Sequence, residues 1–256
     1  MLQKLNPAMK LVACVIAAVG LTSVLDPVSP LVIFVLVLMV GRFLGGMSLK
    51  SQVRPLRVFL LAGVAIVLAN ILFNKANASA AALARLGPIR ITEPALWTAA
   101  SLWLRLLCFA LISLVFVKTT EPQHLILSLV HQFRLNYRVA FGSLVGYRML
   151  PLLQSDYQII RASQRLRGIG ETNLLLHPLL WLRRYATPLL VGAVRRANRV
   201  ALAMEARGFG ALPERTYRVA MRVTPKDVLF VLATAAVTAG VLLGVWAAGL
   251  ARFTVG

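Results

Sequence analysis

Val228–Leu250 runs for 23 residues without a charge. A helix of that length covers the roughly 30 Å hydrocarbon core of a bilayer with some tilt. Ala95–Val117 is a second run of 23 residues, interrupted by Arg105, and Val58–Phe73 supplies 16 uncharged residues. Leu11–Gly41 carries one charge, Asp26, inside the sequence LDPVSP. Pro27 and Pro30 break a continuous helix there and predict two short spans joined by a tight turn. The first run lacks a small-residue cleavage site and another span follows at once, so it reads as a span rather than a removable signal. The expectation is an all-α, polytopic membrane protein with about five transmembrane helices.

Composition agrees. The chain is 59% hydrophobic and 14% charged, against roughly 25% charged in an ordinary soluble domain. Its formal net charge of +20 raises the question of nucleic acid. Apolar runs of membrane length have no place in a phosphate-binding surface, so nucleic acid is excluded as a partner. The cations instead report orientation. Lys4 and Lys10 precede the first span, and Arg42, Lys50, Arg54 and Arg57 follow the second. Lys118–Lys226 holds 17 Lys/Arg against five acids, Glu121, Asp156, Glu171, Glu205 and Glu214. Positive charge collects on the cytoplasmic side of helical membrane proteins, which places the N terminus and Lys118–Lys226 inside. Lys75, Arg85 and Arg90, in the loop Asn74–Pro94, run against the rule but are outnumbered. Three regions follow: a membrane region of four spans at 1–117, a cytoplasmic or interfacial region at 118–226, and a C-terminal transmembrane helix at 227–256.

The middle region is too apolar for disorder and too rich in arginine to span. Thr120 and Pro122 offer a helix start, as N-cap and first-turn residue. Arg148–Arg167 mixes an apolar face with a basic one, with Pro151 as its kink or its beginning. Pro188–Arg207 carries Leu190, Val194, Ala197, Ala201 and Met204 at steps of three and four, one apolar stripe with Arg195, Arg196 and Arg199 off it. Such amphipathic helices lie along a membrane interface or against a partner. Both end alike, in QRLRG at Gln164–Gly168 and EARGFG at Glu205–Gly210, and their arginines, Arg167 and Arg207, are 40 residues apart. One Arg-Gly ending is a common helix stop. Two matched endings on one cytoplasmic region form a pair of plugs for paired sockets.

These blocks, together with LNPAMKL at Leu5–Leu11, GPIRIT at Gly87–Thr92, RMLPLL at Arg148–Leu153 and RRANRVALAMEARGFG at Arg195–Gly210, resemble the transmembrane T component of energy-coupling factor (ECF) transporters, the CbiQ/EcfT-like family. The family serves ABC-type importers of vitamins and transition-metal ions in the prokaryotic cell membrane. The resemblance implies that Leu166-Arg167-Gly168 and Ala206-Arg207-Gly208 dock into grooves on two ATP-binding-cassette subunits. It also implies a relay of their ATP-driven motion to a small substrate-binding membrane subunit. Leu190, Val194 and Ala201 are the candidate contact with that subunit. Arginine suits docking because its charge is permanent and its planar fork pairs bidentately with a carboxylate.

Other chemistry is sparse. The chain has no GxxxxGK[ST] phosphate loop, so ATP hydrolysis is expected in partner subunits and no cofactor is expected. His124, His131 and His177 are scattered, and Cys14 and Cys108 sit in apolar runs as small hydrophobes, which leaves no metal or catalytic set. A membrane enzyme acting on lipid or prenyl chains is the competing class, but Asp26, Asp156 and Asp227 are too dispersed for its paired carboxylates. A plain lipid anchor leaves the twin Arg-Gly endings unexplained. Two residues stay open at this level. Arg105 is either an intramembrane functional charge or one that snorkels to an interface, and Glu205 pairs either with Arg199 or Arg207 or with a partner.

Overall fold

The computed structural model describes residues 2–23, 26–73, 82–86, 89–133, 135–168, 177–212 and 221–247. The chain divides into two compact units, Met1–Ser128 with Met221–Gly256, and Leu129–Ala220. The second falls inside the stretch that the charge pattern singles out.

In the first unit, α1 (Pro7–Thr22) and α2 (Val28–Phe43) are short apolar helices separated by the LDPVSP turn. α3 (Leu49–Phe73), α4 (Glu93–Thr119) and α9 (Pro225–Ala247) are each long and apolar enough to cross a membrane. α4 packs against α1, α2 and α3, and α9 packs against α1 and α2. The core is a layer of Ala17, Leu21, Ile33, Cys108 and Ile112, and a second of Leu56, Leu111 and Val115. Outward faces stay apolar, as at Leu61, Leu68, Leu229 and Leu243. Large exposed hydrophobics along spanning helices have the bilayer as their solvent.

α3 begins well before the uncharged run at Val58, at Leu49, and continues through Pro55. A proline inside a helix strips the carbonyl four residues earlier of its hydrogen bond. That carbonyl belongs to Ser51, and the Lys118 ammonium donates to it at 3.0 Å. Close approach elsewhere relies on glycine. A methyl group added at Gly63 on α3 would collide with the Trp103 indole of α4, and one at Gly20 on α1 with Thr238 of α9.

Between α3 and α4 the chain forms a hairpin, β1 (Ala82–Leu86) antiparallel to β2 (Ile89–Thr92), with Leu86 opposite Ile89. The GPIRIT block ends in β2; Gly87 and Pro88 lie outside the described residues. The helical reading thus holds with one small addition that hydrophobic periodicity did not signal, because a two-stranded hairpin needs too few residues to set a pattern.

The LDPVSP turn is held by its own aspartate. Asp26 is fully buried; Oδ2 accepts the Ser29 amide at 2.6 Å, and its backbone carbonyl accepts the Ser101 hydroxyl of α4 at 2.9 Å. Arg105, one turn beyond Ser101, is buried within electrostatic reach of Asp26. Arg105 thus packs inside the helix bundle. α1 and α2, of 16 residues each, are about 24 Å long, shorter than α3, α4 and α9.

α5 (Pro122–Phe133) corrects one expectation: its first residue leaves Glu121, not Thr120, at the cap position, and the buried Thr120 hydroxyl has no hydrogen-bond partner. Gly63→Ala should cost about 1–3 kcal/mol by overpacking, read as a lower melting temperature of the solubilised protein. Gly146→Ala, where nothing lies within 4 Å, should leave it unchanged or slightly raised.

Candidate docking site

The second unit is built on two helices. α6 (Tyr137–Leu166) starts earlier than Arg148 because Asn136 caps it, accepting the Arg138 amide at 2.9 Å, and it runs through Pro151 to its expected end. The short α7 (Pro178–Trp181) leads through a π-helical turn at Leu182–Ala186 into α8 (Thr187–Ala206). The widened turn buries Tyr185 against Tyr157 of α6, with ring centroids 5.9 Å apart, and against Trp181 at 6.2 Å. Beside that stack Arg196 of α8 meets Asp156 of α6 at 2.7 Å, each side chain about a quarter exposed. A charge-assisted bond in a half-dry site is worth more than a surface pair.

Register makes this pair informative. Arg167 lies eleven residues past Asp156, and Arg207 eleven residues past Arg196. At 1.5 Å per residue each arginine ends an arm of about 16 Å measured from the shared ion pair.

The two arm ends have nearly the same backbone. Arg167 closes α6 with φ −81° and ψ 8°, Arg207 closes α8 with φ −91° and ψ 11°. Gly168 and Gly208 follow in the left-handed region at φ +71° and +73°. The Gly168 amide returns to the Arg165 carbonyl at 3.0 Å and the Gly208 amide to Glu205 at 2.9 Å. The Phe209 amide then reaches the Met204 carbonyl at 3.0 Å, which completes a Schellman ending at the second site. Among the described residues, chain neighbours aside, nothing lies within 4 Å of a methyl group placed on either glycine; the demand is conformational, since a Cβ at such φ costs about 1–2 kcal/mol.

Each ending is thus a helix cap, and each also projects its arginine outward. Leu166, Arg167, Gly168, Ala206, Arg207 and Gly208 are all exposed, Leu166 at 91%. Among the described residues neither Arg167 nor Arg207 has an acidic partner, and Glu205 pairs with neither Arg199 nor Arg207. The stripe predicted on α8 is likewise open: Leu190 is 60% and Val194 58% exposed, and Ala201 is exposed too. The face of α8 that is half-buried lies elsewhere, along Leu189, Ala193, Arg196 and Val200.

Sequence reading missed what braces the second ending. Phe209 packs on Tyr137 and Phe141 of α6, with centroids at 5.9 and 5.2 Å. Tyr137 donates its hydroxyl to the Leu212 carbonyl at 2.9 Å, and Arg138 donates to the Gly210 carbonyl at 2.9 Å. Phe209 stands between two positive-φ glycines, Gly208 and Gly210. An aromatic flanked by glycines in a polar segment was the available signal.

Comparison with known proteins gives the chain's family. The CbiQ family, described as cobalt transport protein, matches residues 1–218. The chain belongs to the CbiQ family. The energy-coupling factor transporter transmembrane protein EcfT of Thermotoga maritima is 31% identical over 161 residues, 60% of this chain and 59% of that protein. That of Thermosediminibacter oceani is 28% identical over 214 residues, 78% of this chain and 77% of its own. A Bifidobacterium longum protein named as an ABC transporter ATP-binding protein is 24% identical over 156 residues, 58% of this chain and 20% of its own length. The resemblance carried by the Arg-Gly blocks is therefore to the right family.

The ion pair can be tested by a double-mutant cycle. Asp156→Ala and Arg196→Ala should each destabilise the full chain by about 1–2 kcal/mol, allowing for partial exposure. The double variant should lose clearly less than the sum, as thermal unfolding in detergent would measure.

Proposed function

We propose that this chain is the membrane-embedded energy-coupling subunit of an ECF-type ABC importer in a prokaryotic plasma membrane, with its Arg-Gly ends inside the cell. Two ABC ATPase subunits receive Arg167 and Arg207. A small substrate-binding membrane subunit, which selects the vitamin or transition-metal ion, lies against the Leu190, Val194 and Ala201 stripe. The chain itself hydrolyses nothing. It relays the closing of the ATPases to the subunit that holds the substrate.

The observation that carries this reading is the pair of matched, exposed arginines at equal distance past one ion pair. Twin plugs on braced arms fit twin sockets, and a change in socket spacing becomes a change in the crossing of two helices. An exposed Leu166 beside Arg167 fits burial against a partner surface better than exposure to water. The ATP-binding relative from Bifidobacterium longum, into which 156 residues of this chain align, supports ATPase partners. The competing enzyme reading finds no support in the aspartates: Asp26 holds a turn and Asp156 an ion pair.

Tagged chain expressed with its ATPase and substrate-binding subunits provides the test. Arg167→Ala with Arg207→Ala should still insert, yet detach the ATPases, because loss of a buried charged contact costs about 2–5 kcal/mol where a dipole effect costs about 0.3–1. Arg207→Lys should recover binding in part, since an ammonium lacks the planar fork. Leu190→Glu should keep the ATPases and lose the membrane subunit. Full ATPase retention in the double alanine variant would reduce both motifs to caps.

A further inference from the structure

The chain leaves the first unit after Ser128 and returns at Met221. Within that unit, the end of α4 before the exit and the start of α9 after the return are both tied to one short segment at the start of α1. On the outgoing side, Lys10 is 3% exposed, and its ammonium donates to the Thr119 carbonyl at the end of α4 at 2.8 Å. A lysine buried that deeply in a spanning helix is costly unless it makes such a bond. On the returning side, Asp227 is 2% exposed in the first turn of α9. One of its oxygens accepts the Thr224 amide and hydroxyl, each at 2.7 Å, and closes a capping box. Its other oxygen accepts the backbone amide of Asn6 at 2.8 Å. The Asn6 side chain completes the joint: Oδ1 caps α1 through the Ala8 amide at 3.1 Å, and Nδ2 donates to the Arg222 carbonyl at 3.4 Å. Lys10 also lies within electrostatic reach of Asp227.

Asn6 and Lys10 are one helical turn apart and hold the last residue of α4 and the first turn of α9 to the same helix end. A capping box alone would have finished α9 without Asn6, and the buried Thr119 carbonyl would lack this donor without Lys10. The extra bonds have a mechanical consequence. A pull on either crossing is carried into α1, α4 and α9 together instead of unwinding the terminal turns, which are the first parts of helices to open.

We propose that Asn6, Lys10 and Asp227 form a positioning clamp that anchors both crossings to α1, so that nucleotide-driven motion moves helices rather than fraying their ends. The clamp rests on the coupling role proposed above and adds to it a site of force transfer remote from the Arg-Gly ends.

Hydrogen exchange on the complex with its two ATPase subunits, in nanodiscs, with and without ATP plus vanadate, tests this. In the unaltered protein, residues 119–128 and 221–228 should exchange alike in both states. Lys10→Met should leave ATPase co-purification intact, yet raise exchange of 119–128 at least roughly tenfold when nucleotide is added. Asp227→Asn should do the same for 221–228. Lys10→Arg, which can still reach the Thr119 carbonyl, should behave as the unaltered chain. Equal protection with and without nucleotide in Lys10→Met would overturn the clamp. So would exchange raised equally in both states, or loss of the assembled protein, because either makes these residues merely structural. Failure of the coupling role itself shows separately, as ATPases absent from the unaltered preparation.

Discussion

The ion pair between Asp156 and Arg196 is the interaction on which the matched placement of the two Arg-Gly helix ends depends. It joins α6 to α8 at the same register in both helices, so that Arg167 and Arg207 stand at matched distances from it. Its bond is charge-assisted and partly shielded, and the adjoining Tyr157–Tyr185–Trp181 stack adds contact that salt cannot screen. The pair also uses up an acid in a region where acids are scarce. Arg167 and Arg207 are left with no acidic partner among the described residues.

The same economy of charge appears in the membrane unit. Lys118 satisfies the carbonyl that Pro55 strands, Lys10 satisfies the end of α4, and Asp26 holds the turn between the two short apolar helices. Each of these three charges answers a backbone group that the fold leaves open, as a low-dielectric setting demands. These polar residues fix where helices begin and end.

Legibility followed the physics of the signals. Apolar run length exposed the spans, and the proline-bounded Asp26 exposed the break between α1 and α2, because hydrophobicity and proline geometry act locally. Arg167-Gly168 and Arg207-Gly208 were legible as endings for the same reason. The Asp156–Arg196 pair was not, since its members are 40 residues apart and several other arginines offered the same charge. Nor was the start of α6: Asn136 is a good cap, but Pro151 was the louder signal. Thr120 looked like a cap, and the bonds made by neighbouring Thr119 and Lys118 outweighed that preference. The Asn6–Asp227 joint spans 221 residues and no local pattern carries it. Phe209 needed both the positive φ of its flanking glycines and the aromatic start of α6 to become intelligible.

The central claim is that the ion pair fixes the spacing of the two arm ends. Spin labels at positions 162 and 202, each six residues beyond the pair and exposed, in a background with Cys14 and Cys108 replaced by alanine, measure that spacing directly by pulsed dipolar spectroscopy. A single narrow distance distribution is expected in the parent protein, and a clearly broadened one when Asp156→Ala is added. An equally narrow distribution at the same distance in the Asp156→Ala protein would contradict the account.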